Sequence, residues 1–293
     1  MRTDRFAAFR ETAGRQHDES ANILEADRHG KVYIVGAGPG AADLLTVRGM
    51  HALRRADVVL YDALVNPDLL DEAPACALKI FVGKRNGLQM FEQREIDRRI
   101  VAEAREGKTV VRLKGGDPLL FGRGGEEALA CEEAGIDFEF IPGVTSALGA
   151  ASHAGIPLTH RGIASSVAFI TARDGADSQE HLARLGRLAA AVDTLVIFMG
   201  GSRIPSLVES LLAAGVAKSA RVAVISNATL ENQTTVLGSV EDISDRLAEA
   251  RLAAPMLIIV GEVTNLASTL NWFERRGYPA EESPVFGLVA NRG

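Results

Sequence analysis

The stretch "VVRLKGGDPLLFGRGGEE", Val110 to Glu127, places fixed charges of both signs around two glycine turns. Arg112 and Lys114 lead into the bare backbone of Gly115 and Gly116, and Asp117 follows. An aspartate in a glycine turn can accept hydrogen bonds from hydroxyls or an ammonium group, or it can cap its own turn. Arg123, set among Gly122, Gly124 and Gly125, offers a planar fork to a carboxylate, or pairs with Glu126 at helical spacing. A second glycine run, "VGAGPG" (Val35 to Gly40), would let backbone N–H groups approach a ligand at a helix N-terminus. Its spacing is G-x-G-P-G rather than the G-x-G-x-x-G of a dinucleotide loop, and Pro39 lacks an N–H donor. Asp62, at the end of the next strand, is a plausible ribose partner. A nicotinamide or flavin site and a plain strand-to-helix turn therefore both stand as readings of this run.

These turns need elements to hold them, and the chain has material for one large domain or two ordinary ones. It is 47% apolar and 24% charged, with a net charge of −6, so no global basic field draws it to nucleic acid or anionic lipid. Any acidic ligand must meet a local cluster of Arg and Lys. Cys76 and Cys131 form neither a CxxC pair nor a metal-ligand spacing, so neither a disulfide nor a metal is expected. No apolar run has the length of a membrane helix, residues 1–30 lack a signal-peptide core and read as a disordered extension, and the expected location is cytoplasmic. From Lys31, β-branched runs alternate with helical patterns: "VYIV", "VVLY", "KIFV", "TVVRL" and "FEFI". Helical spacing of Ile96, Ile100, Val101 and Ala104 predicts a helix between Phe91 and Gly107. A Gly/Ala/Ser/Thr-rich connector over residues 142–165, with one helix near Thr145 to His153, precedes the runs "VAFIT", "TLVIF", "RVAVI", "TTVLG" and "MLIIV". The expectation is an α/β protein of two units: residues 31–143, and 144–275 including the connector, with a tail over 276–293. Each unit should carry a mostly parallel or mixed sheet. In open sheets of this kind ligands sit beyond the carboxyl ends of strands, so the two glycine loops could face one crevice.

Read together, "KVYIVGAGPGAADLLT", "ADVVLYDALV", "VGKR", "VVRLKGGDPLLFGRGGEE", "PGVTSALGAASHAGIPLTHR", "IFMG" and "VGEV" resemble the tetrapyrrole methylase family, over about Lys31 to Phe273. "GAGPG" is shared across that family, whereas "VGKR", "RLKGGDP" and "FGRGGEE" resemble its members that act on uroporphyrinogen III. The resemblance implies the tetrapyrrole methylase fold, two α/β domains with the active-site cleft between them, assembled as a homodimer. It implies transfer of methyl groups from S-adenosylmethionine to two ring carbons of uroporphyrinogen III, via precorrin-1 to precorrin-2, toward sirohaem and cobalamin. Carried over, Pro39, Gly115, Gly116, Asp117, Leu120, Thr145, Ser146, Met199 and Ala228 become cofactor contacts. Asp62 and Lys84 fall on an acid/base pair, while Arg123, Glu126 and Arg161 fall on substrate-binding or catalytic positions. A polycarboxylate macrocycle would need a cationic lining, which Lys84, Arg85, Arg112, Lys114, Arg123 and Arg161 could supply. Departures from the family pattern are "GPGAAD", "TARD", "NAT" and the Phe198 of "IFMG". No second catalytic domain matches, so dehydrogenase or chelatase activity is not implied. The alternatives are a later precorrin methyltransferase, a nicotinamide-dependent oxidoreductase and a non-catalytic tetrapyrrole binder.

Overall fold

The structure is a computed structural model that describes residues 30–85, 88–89, 92–172 and 179–276. The extension at 1–29, the tail from 277 and the second half of the "TARD" run lie outside the described residues, as do the side chains of Lys84 and Arg85. In chain order the strands are β1 (Val32–Gly36), β2 (Val58–Tyr61), β3 (Leu78–Phe81), β4 (Lys84–Arg85), β5 (Leu88–Gln89), β6 (Val110–Lys114), β7 (Phe138–Ile141), β8 (Val167–Thr171), β9 (Thr194–Phe198), β10 (Arg221–Ser226), β11 (Thr234–Ser239) and β12 (Met256–Val260). The helices that matter here are α1 (Val47–Leu53), α2 (Gln93–Arg105), α3 (Gly124–Glu133), α4 (Ser146–Ala154), α5 (Gln179–Ala191), α6 (Ile204–Ala213) and α7 (Ile243–Ala250).

The first sheet runs β3-β2-β6-β1-β7 with every pair parallel. Its strands are apolar at nearly every position because both faces are covered. Val35, Val59, Val111, Leu113 and Ile141 pack on the α1 side, with Leu45, Leu53 and Leu69. Val32, Ile34, Val58, Leu60 and Val110 pack against Ile96 and Ile100 of α2 and Ala128 and Cys131 of α3. The connection after β1 crosses to the β2 side and that after β6 crosses to β7, on opposite faces. Between these neighbours the connections diverge, which opens a crevice at their carboxyl ends.

The second sheet runs β11-β10-β12-β9-β8, and of the parallel and mixed arrangements expected it is the mixed one. Only β8 and β9 are parallel; β9–β12, β12–β10 and β10–β11 are antiparallel. The segment 227–233 between β10 and β11 is too short for a parallel crossover, which takes about a dozen residues or more. One face packs on α5, α6 and α7, and the other on the small residues Ala147, Ala150, Ala151 and Ala154 of α4. Among the described residues no helix is long and apolar enough to cross a membrane.

Candidate active site

Gly36 ends β1 opposite Lys114 at the end of β6, so the two glycine loops leave the sheet side by side. They are tied: Gly116 N–H donates to the Gly38 carbonyl at 2.7 Å, and Gly38 N–H donates to the Gly116 carbonyl at 3.3 Å. Gly116 takes φ +69, a conformation that disfavours a side chain. Behind them Gly143, just past β7, lies so close that a Cβ there would sit 2.3 Å from the Gly116 carbonyl oxygen. A Cβ on Gly116 itself would meet nothing nearer than Ser146 N at 3.8 Å. Three strand ends thus close on a patch of bare backbone facing the N-terminus of α4.

The residues expected at a cofactor gather around that patch. The Asp117 carboxylate accepts from Leu119 N–H at 2.9 Å and from Gly143 N–H at 3.1 Å, so the turn-capping reading is realised. Thr145 caps α4, accepting from Ala147 N–H at 3.4 Å, and Ser146 opens the helix. Leu120 packs into the core beneath the second sheet, and Phe121 lies against Phe198 with ring centroids 4.9 Å apart. Pro39 rests on Gly149 of α4, where a Cβ would come within 2.5 Å of its ring. Gly40 faces Ala228, and Ala41 N–H donates to the Thr229 hydroxyl at 2.9 Å. Met199 follows β9 directly and is exposed. Of six described non-glycine residues at positive φ, five (Phe121, Arg123, Met199, Asn227 and Thr229) stand in the loops after β6, β9 and β10. Such strain persists where the surroundings hold it, and here it collects at the crevice.

Asp62 follows β2 beside these loops, flanked by Gly83 packed on Ala63 and Gly115 packed on Leu64. Val82 N–H donates to the Tyr61 carbonyl at 3.0 Å, so Asp62 leaves β2 beside the segment that leads to Lys84. Arg112 and Lys114, expected to line the cleft, do not. Alternation along β6 turns both toward α3, and they are buried at 2% and 3% exposure. Arg112 donates to Asp62 Oδ1 at 2.5 Å and to Glu127 Oε1 at 2.9 Å, and Lys114 donates to the same Glu127 oxygen at 2.9 Å. Burial, together with the Arg112 charge, pushes the Lys114 ammonium below its usual range. Burial works against the Arg112 charge too, but the carboxylates of Glu127 and Asp62 outweigh it and raise the guanidinium's pKa. Glu127 is the member that motif reading left without a role. Two cations at alternate positions of a central strand are the signal for a buried acid.

Arg123 and Glu126 form the exposed pair of the bland reading, at 2.8 and 2.5 Å, each side chain 51% exposed. Their mutual hydrogen bond raises the guanidinium and lowers the carboxyl. The flanking glycines have a local cause, since a Cβ on Gly122 or Gly124 would strike the Pro118 carbonyl at 2.7 or 2.6 Å. Of the three glycines around Arg123, Gly125 alone stands in open space. Arg161 is exposed in the turn closed by His160 and Ala164, and among the described residues no hydrogen bond or ion pair ties its side chain to the loops.

The family model for Tetrapyrrole (Corrin/Porphyrin) Methylases matches residues 31–244. A siroheme synthase from Baumannia cicadellinicola is 47% identical over 83% of this chain and 52% of its own length. A uroporphyrinogen-III C-methyltransferase from Priestia megaterium is 45% identical over 81% of this chain and 100% of its own. The chain thus spans about half of the first relative and the whole of the second. A crystal structure of uroporphyrin-III C-methyl transferase from Thermus thermophilus, complexed with S-adenyl homocysteine, superposes with TM-score 0.70 at 38% identity, covering 81% of this chain and 100% of that one.

Proposed function

The chain belongs to the tetrapyrrole (corrin/porphyrin) methylases, and from that premise we propose that it methylates two ring carbons of uroporphyrinogen III, yielding precorrin-2 by way of precorrin-1. The observation that carries the reading is the meeting of the strand-end loops on bare backbone at Gly36, Gly116 and Gly143. The donor set around it fits an S-adenosylmethionine: a carboxylate at Asp117, the Thr145 and Ser146 hydroxyls at the α4 N-terminus, and apolar surface from Pro39, Leu120, Met199 and Ala228. When bound, that group supplies a sulfonium methyl to an electron-rich pyrrole carbon.

The chain's own part is to position and to move a proton. Gly115, Gly116, Asp117, Thr145 and Ser146 hold the donor's amino-acid end in place, the largest contribution a template can make to such a transfer. Asp62, partly exposed at the end of β2, takes the proton that the methylated ring sheds, with Lys84 as its acid partner. Arg123 turns the free side of its guanidinium to the substrate carboxylates, since Glu126 engages only Nε and Nη2. Glu126 and Arg161 complete the substrate-facing set.

Residues 31–143 and 144–275 are taken as the two domains; the packing of α4 on the second sheet supports a division there. The assembly is read as a homodimer and the location as cytoplasmic, and a sedimentation run checks the first. Incubating the protein with uroporphyrinogen III and methyl-labelled S-adenosylmethionine tests the activity. Two labels per macrocycle are expected, and none would remove the reading.

A further inference from the structure

Beneath the crevice a charged array passes through the apolar layer between the first sheet and α3. Glu127 is fully buried and puts three contacts on one oxygen: Arg112 Nε at 2.9 Å, Lys114 Nζ at 2.9 Å and Gln93 Nε2 at 3.4 Å. Its other oxygen, Oε2, has no hydrogen-bond partner among the described residues. A buried acid with a spare oxygen is a poor stabilising device, because apolar residues of the same shape do as well or better. What the array does instead is fix a direction. Glu127 grips Arg112 at Nε, and the carbonyls of Leu60 and Leu113 take Nη1 at 3.4 and 3.2 Å. The one arm left, Nη2, then points at Asp62 Oδ1 from below, at 2.5 Å. With Oδ1 engaged, the turn of the Asp62 carboxylate is restrained, and Oδ2 is left for another partner. Lys114 balances the second negative charge, and Asp97 of α2 stands near, its pKa raised by burial.

We infer that Glu127 is a positioning residue, acting through the Arg112 guanidinium to aim the Asp62 carboxylate for proton abstraction from the methylated ring. The inference rests on Asp62 being the base of the proposed reaction. Glu127 touches neither substrate nor donor, so its loss changes turnover and leaves binding alone.

Glu127→Gln by itself leaves two buried cations facing one carboxylate and can fail to fold, so the test pairs it with Lys114→Met. That pair removes one charge of each sign from the array. Lys114→Met alone, which keeps the Glu127–Arg112 contact, is the control. The double variant should keep the control's thermal midpoint, its S-adenosylhomocysteine affinity and its KM for uroporphyrinogen III. Its kcat should fall on the order of 10- to 100-fold, the scale of a catalytic group displaced by about an ångström. In an Asp62→Asn background the same pair should cost nothing further. Its crystal structure should show Arg112 Nη2 withdrawn from Asp62. An intact Arg112–Asp62 contact, or a full extra loss on top of Asp62→Asn, overturns the inference. A broken contact with normal turnover overturns the inference where Asp62→Asn is itself inactive, and removes Asp62 as the base where Asp62→Asn is active.

Discussion

A single methyl group added at Gly143 should damage both the fold and the donor site. Built on the existing backbone, that carbon lies 2.3 Å from the Gly116 carbonyl oxygen and 2.7 Å from Gly36 Cα. Ordinary carbon contacts begin near 3.5 Å. The overlap is therefore about 1 Å at each contact, and it is with the backbone at and just past the ends of two central strands rather than with a side chain that can rotate. Overpacking of this kind costs about 1–3 kcal/mol, and rigid backbone on both sides puts Gly143→Ala at the upper end. Gly125→Ala is the matched control: an exposed position inside α3 with nothing within 4 Å, where alanine gains about 0.5–1 kcal/mol of helix propensity. The two variants should differ by roughly 3–4 kcal/mol in urea unfolding, a midpoint separation of about a molar or more. Gly143→Ala should also weaken S-adenosylhomocysteine in calorimetry, because relief of the clash moves Gly116 against the α4 N-terminus. Equal midpoints for the two variants, or unchanged affinity in Gly143→Ala, would refute the reasoning.

Arg123→Leu should abolish methylation of uroporphyrinogen III while leaving S-adenosylhomocysteine affinity and folding nearly intact, since an exposed pair with Glu126 is worth at most about 1 kcal/mol. Arg123→Lys should recover part of the activity, and near-normal turnover in both variants returns Arg123 to the plain surface pair. Asp62→Asn and Lys84→Met should each lower turnover far more than donor affinity; kinetics at saturating donor that match the unaltered protein in both remove the pair from the chemistry. Asp193 supplies a pH prediction. Hydrogen bonds from the Ser165 and Ser166 amides and hydroxyls hold its carboxyl at about 2, below the ordinary 3.8, so its contribution is present above the higher value and is lost as pH falls through the lower one. Asp193→Ala should flatten acid unfolding between those limits, and an unchanged acid limb would show the carboxylate to be idle.

Strand and helix positions were legible where period and burial coincide. "VYIV" is apolar throughout because β1 is covered on both faces, and the spacing of Ile96 and Ile100 locates α2. The connector helix was readable from Thr145, which does cap it, though its low apolarity hid that α4 is a core element packed through alanines. Strand direction was not legible, because β-branched runs look alike in either sense. Only the short link 227–233 carries that information. The site was half visible. Loop residues stand where their motifs place them, since backbone turns are written locally in Gly, Pro and Asp. The fate of Arg112 and Lys114 depends on which face of β6 they share with α3, a long-range fact that residue type conceals.

The two readings of Asp117 (turn cap and ligand acceptor) do not compete once the lone pairs are counted. An ionised carboxylate offers about four acceptor positions, and here each oxygen accepts one backbone N–H, from Leu119 and from Gly143. The bonds to the loop and to the end of β7 fix the carboxylate without exhausting it. Next to it Gly116 has no side chain, and a Cβ there would meet Ser146 N of α4 at 3.8 Å. A free aspartate would have to lose its torsional freedom when a small zwitterion arrived. Asp117 has already lost it on folding, so the ammonium contact proposed for it would be made by a group that need not reorganise. The same economy holds for Asp62, gripped from beneath by Arg112. In both places a backbone or buried charge takes one part of a carboxylate and leaves acceptor positions over, so on the proposed reading the capping contact is the reason that the functional one would be strong.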